Sequence, residues 1–186
     1  LDRHEAAAQV KAMTRKLRAG IVGEDVDLPV EAIPEIMFVM GRFPAIWDKL
    51  TALALQIQSE TGTLPPRDRQ LAILRTGWLM QAPYEWGQHV MVSKSVGITT
   101  EEIERVIEGS QASGWTPHER AILRAAEELR DNVMVSDETW ATLSETFDDQ
   151  QLVELLVLIG QFTATAYYQN SLRLRLEKGN SGLSMR

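Results

Sequence analysis

Prolines cut this chain into helices. Pro44, the Pro65-Pro66 pair, Pro83 and Pro117 each stand directly ahead of a run whose apolar residues recur every three or four positions. Proline lacks an N–H and its fixed φ suits a first turn, so a proline placed there marks a helix start rather than a break. Thr99-Thr-Glu-Glu102 and Thr116-Pro-His-Glu119 add a second start signal, a hydroxyl followed three residues later by a glutamate that can close a capping box. Ser136 and Asp148 open two further apolar runs. Gly20, Gly41, Gly97 and Gly109 supply stops. No stretch alternates apolar and polar residues with β-branched enrichment, so no strand is expected and the fold class is all-α.

Taken in order, helices are expected over 1–19, 33–40, from Pro44 onward, 66–78, 83–95, through Ile107, from Thr116 through Leu129, from Ser136, and from Asp148 to about Leu176. Residues 23–29 read as a surface loop. Ile46, Trp47, Leu50, Leu53, Ala54 and Ile57 are expected on one buried face, and Trp140 and Leu143 on another. The tail from Gly179 is polar and is expected to fray. At 186 residues the chain suits a single domain, 1–186, with an N-terminal helical extension over 1–30 and a motif region over 64–109. Pro66-Arg-Asp-Arg-Gln-Leu71 and Pro117-His-Glu-Arg-Ala-Ile122 echo one another, which suggests two related helical hairpins packed together.

Charge and cysteine usage narrow the function. The net charge is -7 and the sole local basic cluster is Lys11 to Arg18, so nucleic acid is not an expected partner. Cysteine is absent, which removes disulfides, thiolate metal sites and thiol redox chemistry. No apolar run approaches the ~20 residues of a membrane span, and Leu1 to Ala8 lacks the apolar core of a signal peptide. A cytoplasmic protein is expected, with an upstream segment left open because the first residue is Leu.

Reactive groups concentrate in Gln81-Ala-Pro-Tyr-Glu-Trp-Gly-Gln-His-Val90, whereas the other histidines are only His4 and His118. Glu85 and His89 stand four residues apart, so on a helix begun by Pro83 they leave the same face. A carboxylate can orient an imidazole for acid–base work. The positive helix end favours an ionised Glu85 and a neutral His89. The same spacing also serves an ordinary surface pair, and His118, inside a capping box, is expected in a solvated first turn. Tyr84 and Trp86 either wall a pocket and donate hydrogen bonds or belong to the core. Arg67, Arg69 and Arg75 can bind a substrate carboxylate or form interhelix ion pairs, and Arg75, Trp78 and Trp86 are the candidate substrate contacts. A metal held by Glu85 and His89 needs a third or fourth ligand, and neither other histidine sits in a matching motif, so no metal and no cofactor is expected.

Pro65-Pro-Arg-Asp-Arg-Gln-Leu-Ala-Ile-Leu-Arg75, Tyr84-Glu-Trp-Gly-Gln-His89 and Gly97-Ile-Thr-Thr-Glu-Glu-Ile103 together resemble the carboxymuconolactone decarboxylase and alkylhydroperoxidase D superfamily. The resemblance implies an alkylhydroperoxidase D-like helical bundle that assembles into homotrimers or hexamers, with its active site beside the motif helix. Anchored on His89, the Cys-x-x-Cys pair of the peroxidase branch falls on Ala82 and Glu85, and that branch's relay glutamate on Gln70. Thiol peroxidase activity is therefore not expected. The resemblance to the non-redox branch implies a lyase or isomerase acting on a small carboxylated lactone or enoyl compound. His89 would then donate a proton, Glu85 orient it, and Tyr84 or Gln70 hydrogen-bond the oxyanion. The competing readings are a non-catalytic oligomeric binding protein on the same fold and a metal-dependent enzyme.

Overall fold

The computed structural model describes residues 10–11, 30, 33–59 and 61–186, and among these every regular element is helical. In chain order they are α1 (Glu35–Met40), α2 (Pro44–Gln58), α3 (Pro66–Leu79), α4 (Pro83–Ser95), α5 (Thr100–Glu108), α6 (Pro117–Asn132), α7 (Asp137–Ser144), α8 (Asp149–Ser171) and a 3-10 turn, Gly182–Ser184. The helix expected over 1–19 and the loop over 23–29 lie outside the described residues, except for positions 10 and 11. Two compact units result, Leu1–Gly62 and Thr63–Arg186.

In the first unit α1 closes at Gly41 and α2 begins with Pro44 in its first turn. Trp47 and Ile57 are buried, but Ile46 is 57% and Leu53 38% exposed, against the expected shared face. Each lies one helical step, about 100°, from Trp47 and Ala54 respectively, which carries it beyond the buried stripe.

The second unit is built around α3. Its eight consecutive residues Gln70 to Gly77 are all buried, so this helix is enclosed on every side by α4, α6 and α8. A helix so enclosed must satisfy its polar groups internally. Thr76 donates its hydroxyl to Ala72 O at 2.8 Å. Arg75 reaches Glu127 through Nε at 2.9 Å and donates to Val106 O and Ile107 O at 2.8 and 2.9 Å. At the entry to α3, Glu154 of α8 accepts from Thr63 N at 3.0 Å and from the Thr63 hydroxyl at 2.9 Å.

The two echoing sequences begin α3 and α6, which lie side by side and run in the same direction, as the contacts 67–119 and 75–127 require. Arg67 bonds Glu119 at 2.8 Å, and His118 bonds Asp68 at 3.0 Å. Positions 67 and 68 correspond to 118 and 119 in the echo, so the basic group of each turn meets the acid of the other. Arg67 also takes Glu102 at 2.5 Å. Glu102 and Glu119 are the glutamates of the two capping boxes, so one guanidinium ties three helix starts together. His118 is therefore not a solvated first-turn residue: its ring packs edge-on against Phe147, 4.6 Å between centroids.

Two further expectations are corrected. Trp140 is 39% exposed, because Thr139 donates its hydroxyl to Glu128 at 2.9 Å and turns the Thr139–Leu143 stripe inward instead. The tail is docked rather than frayed. Past Ser171 the chain folds back along α4: Gln88 Nε2 donates to Glu177 at 2.6 Å, and Asn180 Nδ2 to Tyr84 O at 3.2 Å. Trp86 Nε1 then donates to Met185 O at 3.0 Å. Gly87 makes this possible, since a Cβ there would stand 1.8 Å from Asn180 Oδ1.

Candidate active site

Pro83 occupies the first turn of α4, and Ala82 before it provides no side-chain cap. Glu85, His89 and Ser93 follow at four-residue intervals on one face of the helix. This face meets α3 and α8, while Tyr84, Gly87 and Gln88 turn toward the C-terminal segment.

Glu85 is 2% exposed, and neither carboxyl oxygen has a hydrogen-bond partner among the described residues. Gly77 on α3 makes the space, because a Cβ at that position would approach Glu85 Oε1 to 3.2 Å. Burial without a partner disfavours the charged form and pushes the carboxyl well above the usual carboxylate range. The helix-end field that favours ionisation is outweighed, and Glu85 stands as a neutral carboxylic acid. Tyr168 feels the same acid: burial raises its phenol, and a charge on Glu85 would raise it further.

His89 does not bond Glu85. Its Nδ1 meets Gln70 Oε1 of α3 at 2.9 Å, and the Ser93 hydroxyl lies 3.5 Å from the same oxygen. Phe162 of α8 packs edge-on against the imidazole, with centroids 4.9 Å apart. Burial first, and the nearby Arg69 charge second, push the imidazole down to about 4. It is neutral at pH 7, and its Nε2 makes no hydrogen bond among the described residues.

Of the expected site residues, His89 and Gln70 meet, and Glu85 lies one turn away on the same face of α4, against Gly77. Gln70, assigned from the resemblance to an oxyanion, is instead spent on His89. Tyr84 donates its hydroxyl to Glu177, on the side of α4 facing away from His89. Trp86 is fully buried against Trp78, 5.1 Å between centroids, and Arg186 lies 5.9 Å over Trp78. Arg75 is engaged by Glu127 and two carbonyls at the far end of α5. These four residues tie helices and the C-terminal segment together, and none of these contacts is with His89. Gly77, Ser93, Phe162 and Tyr168 belong to the site without having been anticipated. Ser93 was legible as one more four-residue step, and Gly77 as a glycine inside a helix, but Phe162 and Tyr168 come from a helix remote in sequence. No group of three or more histidine or acidic residues able to hold a metal occurs among the described residues. No helix among them is long and apolar enough to cross a membrane.

This bundle and motif fit the family found by comparison. The sequence matches the carboxymuconolactone decarboxylase family over residues 32–128, and the chain belongs to that family. A solved structure of an alkylhydroperoxidase AhpD core, an uncharacterised peroxidase-related protein from Ralstonia eutropha JMP134, superposes with a TM-score of 0.76 at 14% identity, covering 95% of this chain and 89% of that one. The debrominase Bmp8 in complex with 2,3,4-tribromopyrrole gives 0.75 at 15% identity, over 97% of this chain and 91% of that one. A protein of unknown function from Agrobacterium tumefaciens gives 0.67 at 21% identity, over 74% of this chain and 94% of that one. At these identities the likeness shows the alkylhydroperoxidase D-like helical fold. No curated protein matches the sequence.

Proposed function

We propose that this chain is an enzyme that moves a proton on a small carbonyl-activated or carboxylated compound, as an isomerase or a lyase. The observation that carries the reading is a neutral imidazole with an unbonded Nε2, four residues from a carboxyl group that keeps its proton. The two groups hold opposite halves of a proton transfer: His89 offers a lone pair and Glu85 offers a proton. Glu85 does not orient His89, as first expected; Gln70 does.

In the isomerase form, His89 Nε2 takes a proton from a carbon next to a carbonyl, the C–H electrons enter the carbonyl as an enolate, and the imidazolium returns the proton to another carbon. In the lyase form, a carbon–carbon bond breaks with loss of carbon dioxide, and the enolate left behind takes its proton from an acid in the site. Desolvation by Phe162 and the buried α3–α4 face strengthens both transfers. The complete lack of cysteine sets this chemistry apart from thiol-based reactions. The reading takes a small molecule as partner, a homotrimer or hexamer as the working form and the cytoplasm as location.

The test is a screen of lactone and enoyl acids in deuterated buffer, reading solvent deuterium incorporation and carbon dioxide release separately. Exchange without carbon dioxide identifies the isomerase, release identifies the lyase, and His89→Gln should abolish the exchange. The second reading, a non-catalytic binding protein, is favoured by the closure over Glu85 at 2% exposure. It requires ligand binding without exchange or release.

A further inference from the structure

Ser93 is fully buried, and its hydroxyl has a donor proton to place. Among the described residues its side-chain partner is Gln70, and the oxygen end of the Gln70 amide faces both Ser93 Oγ, at 3.5 Å, and His89 Nδ1, at 2.9 Å. Gln70 itself is 5% exposed on the enclosed helix α3. With the oxygen in that place both neighbours can donate to it. If the amide were reversed, its NH2 would face two groups, and the buried serine hydroxyl would lose its side-chain acceptor. The packing thus selects one amide orientation.

From this we infer that Gln70 and Ser93 are positioning residues that lock His89 in the Nδ1–H tautomer and leave Nε2 as the reacting nitrogen. An amide oxygen accepts a hydrogen bond but does not take up a proton near neutral pH, so nothing passes out through Nδ1. All proton traffic on this imidazole runs through Nε2, and the site turns over one proton at a time without a relay behind it. This deepens the proton-transfer reading of His89 and rests on it for its functional meaning, but the tautomer itself is measurable without any substrate.

Two-bond 15N–1H correlation spectra of the 15N-labelled protein report which ring nitrogen is protonated. In the wild type at neutral pH, His89 should show a protonated Nδ1 and a bare Nε2; the reverse assignment, or an equal mixture, overturns the proposal. Gln70→Glu puts a carboxylate where the amide oxygen stands and should raise the proton affinity of His89 at least tenfold, seen as an upward shift of its titration and of the acid limb of the pH–rate profile. Gln70→Leu should abolish the single tautomer. An unmoved His89 titration in Gln70→Glu overturns the lock as surely as the wrong tautomer does. If the tautomer is as stated while no substrate shows exchange or carbon dioxide release, the lock stands and the proposed activity falls.

Discussion

The opposed protonation of Glu85 and His89 makes a specific demand on stability. In the unfolded chain between about pH 4.5 and 6.5, the carboxyl has lost its proton and the imidazole holds one. In the folded chain the carboxyl keeps its proton and the imidazole has none. The pair binds the same number of protons in both states, so its net effect on the slope of stability against pH is close to zero.

Removing either member uncovers the other. His89 has a folded value depressed from 6.5 to about 4. The unfolded chain therefore takes up a proton that the folded chain refuses as pH falls below 6.5, and stability is lost on acidification across that window. At ~1.4 kcal/mol per pH unit, less an allowance for the partial exposure of the ring, the whole effect is roughly 2–3 kcal/mol. Glu85 has a raised folded value, so its contribution is full below the ordinary carboxylate range and is lost as pH rises through and above it. Its slope has the same ~1.4 kcal/mol limit and the opposite sign. Glu85→Gln should become more stable relative to wild type as pH rises from 4.5 to 6.5, and His89→Gln less stable over the same range. Urea unfolding followed by circular dichroism at several pH values gives both curves, and other titrating groups cancel in the differences from wild type. Parallel curves for the three proteins would refute the assignment of a neutral acid beside a neutral base.

Four other outcomes follow from particular positions. Gly87→Ala should displace Asn180 and cost about 1–3 kcal/mol, with residues 177–186 becoming sensitive to protease. Gly160→Ala, also inside a helix but with open space around its Cβ, should instead stabilise by about 0.5–1 kcal/mol in urea unfolding. Arg67→Ala should cost about 1–2 kcal/mol in urea unfolding, since it releases two capping-box glutamates from α3 but acts through a side chain that is a third exposed. Tyr84→Phe should leave turnover within about twofold of wild type while loosening the C-terminal segment in hydrogen exchange, because its hydroxyl serves Glu177.

The helices were legible because their starts are set locally. A proline or a capping hydroxyl determines the first turn whatever surrounds it, and α3, α4 and α6 begin at Pro66, Pro83 and Pro117 as read. What the chain does with its far end was not legible in that way. A polar tail looks free until Gly87 is seen as the seat for Asn180, a relation spanning 93 positions that only packing reveals. The site shows the same division. Four-residue spacing put Glu85, His89 and Ser93 on one face, yet the partner of His89 was set by the neighbouring helix, which presents Gln70 at the level of the ring. The field at a helix end argued for an ionised Glu85, but desolvation is the larger effect for a group this enclosed.

The central claim is that His89, through Nε2, transfers a proton on a small carbonyl-activated compound. The most direct measurement is solvent deuterium incorporation into lactone and enoyl acids by the wild type and by His89→Gln, each first shown to be folded. The expected result is incorporation by the wild type at neutral pH and none above background by the variant. Incorporation at the wild-type rate in His89→Gln would contradict the account.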